Sequence, residues 1–344
     1  MLSGRDLRIF GIAQTAFSGS TLLSFMLGAH DQVFATGEAY RLFRRYRPSF
    51  RKNRLRSLMV SAHDQVLEAG EAWSLFRRYR RWLIKDMALH GCSVHRENCD
   101  FWTANFFERC QHSRILDLYE RIEGYSEEIS VVVHKFNVRA YEELMRERTP
   151  LDGLIVLFKR PVSYYSSHKQ HVGGTVEQAA ANFVSAYCAI QNFSKTHRLP
   201  AATVFYEDLA TKPRETLEAL CAWMGLTYEP VMTTPWEAAD RLHTIGGNVG
   251  TYMNLWDDAF REQTLDRSYW DRVHGERGRR WLHDSYRKIK LDDRWKSLPP
   301  EEIREMEACT EAQEMFETLM DQRLLPKPEQ GGRAMHKSSE SRDS

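Results

Sequence analysis

The chain has 344 residues, of which 42% are hydrophobic and 28% charged, and its formal net charge is +1. This composition is ordinary for a globular protein, and the length suits one large α/β domain or two smaller ones. A net charge near zero argues against bulk attraction to nucleic acid or to an anionic membrane. No run approaches the roughly 18 apolar residues of a membrane span. Because the N-terminus lacks a signal sequence, we expect a cytoplasmic protein with its six cysteines reduced.

The segment Arg8 to Glu38 carries the first functional pattern. Arg8 to Ala13 predicts a buried strand, and an apolar helical pattern starts at Leu22. Between them lies Ser18-Gly19-Ser20-Thr21, a turn of small residues. The first N–H groups of a helix lack internal partners and lie at the positive end of its dipole, so this turn predicts an anion site. The alternative is a plain helix start in an ordinary α/β protein.

Two absences indicate a phosphate site without a catalytic metal. The turn lacks the lysine of the nucleotide-triphosphatase pattern G-x-x-x-x-G-K-[ST]. The later predicted strands run into His134-Lys135 and Lys159-Arg160, with no acidic residue to hold Mg²⁺. A metal-dependent P-loop kinase is therefore disfavoured.

Strands and helices alternate along much of the chain. The other predicted strands are residues 128–133, 154–158 and 202–206, and the predicted helices include residues 137–148, 177–195 and 213–224. Such alternation predicts a P-loop-type three-layer α/β/α fold with a central parallel sheet. Ligands of such sheets bind at the carboxyl ends of the strands, where the predicted anion turn and the basic residues would meet.

We expect one domain at residues 5–325, a helical insertion at about 40–125 that covers the acceptor side, and a disordered tail at 326–344. A duplication reaches into the insertion, because residues 28–47 and 61–80 are identical at 14 of 20 positions. Only the first copy follows a strand and the anion turn, so we place chemistry there. The Arg-rich ends of both copies, 44–47 and 77–80, favour solvated helix faces.

Residues 90–102 gather cysteines and histidines. His90, Cys92, His95 and Cys99 are chemically able to bind zinc, but their spacing matches none of the common zinc modules. We therefore expect a loop with reduced thiols and no metal.

Four motifs in order resemble a known family. The first is Ser18 to Leu23 followed by Gly37-Glu38, and the second is Lys159 followed eight residues later by Ser167. The remaining two are Tyr206-Glu207-Asp208-Leu209 running to Trp223-Met224-Gly225-Leu226, and His243, Ile245, Gly247 and Asn248. Over residues 8–325 the chain resembles sulfotransferases that use 3′-phosphoadenosine 5′-phosphosulfate (PAPS), in their bacterial, carbohydrate and tyrosylprotein branches.

The resemblance implies transfer of a sulfuryl group from PAPS to a hydroxyl of a small molecule or carbohydrate, leaving 3′-phosphoadenosine 5′-phosphate (PAP). Lys159 and Ser167 would hold the 3′-phosphate, with Arg160 in the place of the family's usual acid. Tyr206 would lie near the adenine, and Gly247 and Asn248 on a cofactor-facing loop. The 5′-phosphosulfate would bind Phe17, Ser18, Gly19, Ser20, Thr21 and Leu22.

Catalysis needs a base near the acceptor hydroxyl and cations along the sulfate. The resemblance favours Glu38 as base. His134 is the second candidate, because imidazole titrates near neutrality and this residue ends a predicted strand, and we expect Lys135 to contact the transferring sulfate. Phe17 stands where the family has a basic residue, and Lys135 or Arg41 are candidates to replace that cation. The alternative is a catalytically impaired nucleotide-binding protein of the same fold. The sequence leaves a homodimer open.

Overall fold

A computed structural model describes most of the chain. Its described residues are 7–42, 92–95, 98–110, 115–136, 142, 151–256, 258, 284 and 286–325. Several sequence predictions lie outside them: the second copy of the duplication, both Arg-rich segments, nearly all of the helix at 137–148 and the tail at 326–344. The single domain with a helical insertion therefore stays a prediction.

Five parallel strands form the central sheet, in the order β2-β3-β1-β4-β5. The strands are β1 Arg8–Gln14, β2 Val33–Gly37, β3 Val131–Phe136, β4 Gly153–Phe158 and β5 Ala201–Phe205. Their apolar runs are buried on both faces, as parallel sheets require. The predicted parallel α/β sheet is confirmed.

Two details of the sheet differ from the prediction. β2 was not expected, because VFATG is short, ends in glycine and looks like part of the loop after α1. β3 begins three residues later than predicted and includes His134 and Lys135 instead of stopping before them. Both side chains are buried, so tertiary partners hold polar residues inside this strand.

Helices pack on both faces of the sheet. The helices in chain order are α1 Ser20–Gly28, α2 Ala104–Cys110, α3 Ile115–Tyr125, α4 Pro161–His171, α5 Val176–His197, α6 Tyr206–Thr211, α7 Pro213–Met224, α8 Val249–Tyr252, α9 Pro300–Ala308 and α10 Thr310–Asp321. None of these helices, which belong to the described part of the chain, is long and apolar enough to span a membrane.

Alternate residues of β1 face two separate cores. Ile9 and Ala13 pack with α3 and α5, whereas Phe10 and Ile12 pack with α1 and α7. Because successive side chains of a strand point to opposite faces, this division generates the layers of the predicted α/β/α arrangement.

The ends of two helices show why the chain folds this way locally. α7 has Pro213 at its first turn and ends at Gly225, whose φ of 68° is the left-handed conformation that glycine favours. α5 starts in a capping box, in which Thr175 and Gln178 each accept a bond from the other's backbone N–H. α5 returns the chain to β5, and because all five strands are parallel their carboxyl ends share one edge of the sheet.

Candidate active site

The turn between β1 and α1 has the geometry of an anion site. Gly19, the residue before α1, has φ 88° and no side chain that could bond the first N–H groups of the helix. A Cβ at this position would lie 2.5 Å from Cδ2 of Tyr206, so glycine also permits the close approach of that ring. Ser20 and Thr21 begin the helix and are buried. The Ser18 hydroxyl is bonded to the Thr15 hydroxyl at 2.5 Å and stabilises the turn itself.

Lys135 contacts two other predicted site residues. Its Nζ lies 2.9 Å from Oε1 of Glu38 and 3.2 Å from Oγ1 of Thr21. The lysine side chain is 5% exposed and the glutamate 16%. A buried cation is thus held between a carboxylate and the first turn of α1, where a positive charge next to the helix N-terminus favours an anion.

The loop with Gly247 and Asn248 packs on the same cluster. The backbone N–H of Asn248 donates to Oγ1 of Thr21 at 3.1 Å. A Cβ on Gly247, whose φ is 131°, would lie 2.8 Å from the Tyr252 hydroxyl and 3.0 Å from Thr21. The N–H of Glu38 donates to the carbonyl of Ile245 at 2.6 Å. The loop therefore fixes the backbone of Glu38 beside α1.

His134 lies apart from this cluster, although it precedes Lys135. Its ring is fully buried, with Nδ1 2.7 Å from the Thr36 hydroxyl and Nε2 2.8 Å from the Tyr119 hydroxyl. Successive residues of a strand face opposite sides, so the ring points away from the layer that holds Lys135. Burial lowers the pKa of His134 to about 3. These surroundings suit a neutral core histidine better than a base.

Lys159 and Ser167 meet in a second buried cluster. Nζ of Lys159 donates to Oγ of Ser167 at 2.9 Å and to Oδ2 of Asp292 at 3.3 Å. Arg294 binds the same carboxylate in a bidentate pair, with N···O distances of 2.7 and 2.8 Å. Burial raises the pKa of Asp292, but Arg294 and Lys159 outweigh that effect and hold it well below its usual range.

Asp292 and Arg294 were missed in the sequence. They lie more than 120 residues after Lys159, in a segment without a recognisable motif. Only the fold shows that a carboxylate and a guanidinium complete the cluster. The single available signal was the acid–acid–Arg run at 292–294, which is common on protein surfaces.

Three further predicted residues have distinct positions. The Arg160 side chain is exposed, while its backbone N–H donates to Oε1 of Glu207 at 3.2 Å. Phe17 has φ 67° and stacks on His171, with ring centroids 4.8 Å apart. Leu22 is partly buried against the core below α1. The side chain of Arg41 is outside the described part of the chain.

Tyr206 links the two clusters into one site. Its ring packs so closely on Gly19 that a Cβ there would lie 2.5 Å from Cδ2 of the ring. Nζ of Lys159 lies 5.7 Å from the centroid of the same ring. Its hydroxyl donates to the carbonyl of Lys290 at 3.2 Å, which ties it to the segment that carries Asp292. The anion turn and the Lys159 cluster are therefore neighbours at the carboxyl edge of the sheet.

Comparison with known proteins decides the family. The model of the sulfotransferase family matches residues 17–230, which is more than half of the chain. The chain belongs to the sulfotransferase family. None of the curated proteins compared with this sulfotransferase chain matches it.

Solved structures of sulfotransferase domains were compared with this chain, and one of them agrees with its fold. The sulfotransferase domain of the olefin synthase from Synechococcus PCC 7002 is 16% identical, with a TM-score of 0.50 over 95% of this chain and 98% of that one. The sulfotransferase domain from the curacin biosynthetic pathway is 19% identical, with a TM-score of 0.48 over 94% of this chain and 100% of that one. At 16% identity the first of these structures supports the fold alone.

Proposed function

We propose that this sulfotransferase uses PAPS and transfers its sulfuryl group to a hydroxyl of a small-molecule or carbohydrate acceptor. The observation that carries the proposal is the contact of Tyr206 with both Gly19 and the Lys159 cluster. One nucleotide with phosphates at two ends needs two anion sites joined by a surface for its base. An aromatic ring between an open helix N-terminus and a buried lysine fits that need.

The residues present fit the donor. The first turn of α1, with Ser20 and Thr21, would hold the 5′-phosphosulfate, and Lys159 with Ser167 would hold the 3′-phosphate. A Cβ at Gly19 would fill the space between the turn and Tyr206, so the cradle depends on that glycine. The Lys159 site already binds a carboxylate, that of Asp292, which shows that it accepts an oxyanion. When bound, PAPS would supply its activated sulfuryl group at the turn before α1, not at the Lys159 site.

Glu38 would act as the base. A carboxylate oxygen can accept the proton of an acceptor hydroxyl, and Lys135, at 2.9 Å, keeps that carboxylate in place beside α1. The same lysine touches Thr21 and places a cation next to the turn. Lys135 would thereby supply the positive charge that the family has at the position of Phe17.

Phe17 is the reason for a second candidate function. In that alternative the chain has the sulfotransferase fold and binds the nucleotide but has lost catalysis. A phenyl ring stacked on His171 contributes no charge to a leaving oxygen. Both candidates bind PAP, and only the enzyme transfers sulfate. Binding and transfer must therefore be measured separately.

The first test is titration calorimetry with PAP on the wild type and on Ser20→Ala and Lys159→Ala. Loss of one charged hydrogen bond corresponds to about 1.5–3 kcal/mol, so we expect Lys159→Ala to weaken binding about 10- to 100-fold. Ser20→Ala should weaken it less. Lys169→Ala is the matched control, because this lysine of α4 is 39% exposed, pairs with Glu302 and should leave the affinity unchanged.

A screen of hydroxyl acceptors with sulfur-labelled PAPS then follows on the wild type. Label on an acceptor supports the enzyme, and PAP binding without transfer to any acceptor supports the impaired protein. Absence of PAP binding to the folded wild type would overturn the donor assignment and both candidates.

A further inference from the structure

Two cysteines and two histidines lie close together outside the site described above. Three of them are at residues 92–99, and the fourth is about 150 residues later in the sequence. The ligand atoms of Cys92, His95 and Cys99 lie within 4.8 Å of one another. The structure adds His243, whose Nδ1 is 3.3 Å from Sγ of Cys99. The rings of His95 and His243 are neighbours, with centroids 4.8 Å apart. Sγ of Cys92 lies 3.6 Å from the carbonyl of Leu242, the residue before His243.

We propose that Cys92, His95, Cys99 and His243 form a structural zinc site. Zn²⁺ in proteins is held tetrahedrally at about 2.3 Å from sulfur and about 2.0–2.1 Å from nitrogen, which places neighbouring sulfur and nitrogen ligands about 3.6 Å apart. The Cys99–His243 distance is close to that value. Two thiolates also balance the charge of the ion, which suits a cluster whose cysteines are 0% and 4% exposed.

The hydrogen bonds of both imidazoles leave the correct nitrogen for a metal. Nε2 of His95 lies 2.8 Å from the carbonyl of Ala239, and since a carbonyl only accepts, Nε2 carries the proton and Nδ1 the lone pair. Nε2 of His243 lies 2.9 Å from the Tyr125 hydroxyl, which itself donates to Asp100 at 2.9 Å. His243 therefore donates through Nε2 and presents Nδ1 to Cys99. Such outer hydrogen bonds are the usual support of metal-binding histidines.

The two sulfur atoms are supported in the same way. The backbone N–H of Val94 donates to Sγ of Cys92 at 3.4 Å, and that of Trp102 donates to Sγ of Cys99 at 3.2 Å. Hydrogen bonds to sulfur favour the thiolate that binds metal. Each sulfur thus has a backbone N–H donor, and each imidazole has a hydrogen-bond partner on the nitrogen that would not bind the metal. His90 lies outside the described residues.

The site would join two segments that reach the active site. Three ligands come from residues 92–99, and the fourth starts the loop that contacts Glu38 and Thr21. Ser93 bonds this loop through its N–H to Thr244 and through its hydroxyl to the N–H of Gly246, at 2.8 and 2.9 Å. A metal here would hold in place the loop that starts at His243 and whose Ile245 carbonyl bonds the backbone of Glu38. It would not contact the reacting groups.

The spacing of these residues in the sequence gives no sign of a four-ligand site. Cys92, His95 and Cys99 match no common zinc module, and the fourth ligand is 144 residues further along the chain. The proposal replaces the expectation of a metal-free loop, and it does not rest on the donor or the reaction.

The test measures metal in untagged protein expressed in zinc-supplemented medium. We expect about one zinc per chain by mass spectrometry of the elements, as a closed four-ligand site requires. Cys99→Ser and His243→Gln should lose most of it, whereas Cys188→Ser, which changes an exposed cysteine, should keep it. Equal zinc in Cys99→Ser and in the wild type would overturn the proposal.

A second measurement uses the wild type alone, so that a misfolded variant does not decide the matter. Replacement of zinc by cobalt(II) should give thiolate-to-cobalt charge-transfer absorption and the intense visible bands of a tetrahedral site. Chelation should remove the bands and lower the melting temperature. Wild type without zinc or cobalt bands, or a Cys92–Cys99 disulfide found by peptide mapping, would disprove the site.

Discussion

Lys135 shows how one side chain organises a site. It is buried at the carboxyl end of β3, where an unpaired ammonium would be strongly unfavourable. Glu38 and Thr21 provide its partners, so the lysine draws the end of β2 and the start of α1 together. The charge that stabilises the fold is then also available to an anion at the helix N-terminus.

The roles of Glu38 and His134 can be separated by paired substitutions. Glu38→Gln keeps the side chain's size but removes the proton acceptor, so we expect kcat to fall about 100- to 10,000-fold. PAP affinity should change little, because the glutamate is not a phosphate ligand. The measurement is steady-state sulfate transfer together with calorimetry.

His134→Gln is the companion variant. It should lower the melting temperature, because the ring bonds both Thr36 and Tyr119, and leave kcat within a few-fold of the wild type. The assignment of the base would be wrong if His134→Gln removed turnover in folded protein while Glu38→Gln retained it.

At the scale of elements, the segment that carries Asp292 and Arg294 closes one end of the site. The Asp292 carboxylate accepts from Lys159, Ser167 and Arg294, all of which are donors that suit a phosphate. It neutralises Lys159, which is buried, and Arg294, whose side chain is 29% exposed. A bound phosphate would compete with it for the same donors.

Asp292→Asn tests this competition. The variant loses a negative charge from the proposed 3′-phosphate site, so PAP should bind about tenfold more tightly, a change of about 1.4 kcal/mol. The unliganded protein should melt at a lower temperature, because Lys159 loses its counterion. The two effects together give a larger rise in melting temperature on PAP addition than in the wild type. Asp293→Asn, one residue away and half exposed, is the control. Weaker PAP binding by Asp292→Asn would contradict the competition.

Elements near the anion turn were largely predictable from the sequence, and the reasons are local. β1, β4 and β5 are continuous apolar runs, and α7 is bounded by Pro213 and Gly225, so their positions follow from chain-local signals. β2 and the end of β3 were not predictable in this way. A short or polar segment forms a strand only when it pairs with neighbouring strands in the folded sheet. Residues that meet across the fold, such as Lys159 with Asp292, have no local signal at all.

At the scale of the whole molecule, the buried acid Glu207 makes the free energy of unfolding depend on pH. Glu207 follows β5 and is 8% exposed; its Oε1 accepts from the N–H of Arg160, and its Oε2 has no hydrogen-bond partner within the described structure. Burial raises the pKa of Glu207 from 4.5 to about 7, against the opposing effects of that hydrogen bond and of Lys159. Between these two values the folded chain keeps a proton that the unfolded chain has released. The contribution of Glu207 to the free energy of unfolding must therefore fall as pH rises from 4.5 to 7, and stay low above.

Glu207→Gln mimics the protonated acid and keeps the oxygen that Arg160 bonds, so it should remove this dependence. We expect the variant and the wild type to melt together at pH 4 and below, where Glu207 keeps its proton in the folded and in the unfolded chain. At pH 8 the variant should be more stable by up to about 3 kcal/mol, which is about 5 °C in a chain of this size. The comparison uses thermal unfolding at each pH, with Glu218→Gln on the exposed face of α7 as control. Because both chains share every other titrating group, their difference isolates Glu207. A constant difference from pH 5 to 8 would show that this carboxyl ionises as readily in the fold as in the unfolded chain.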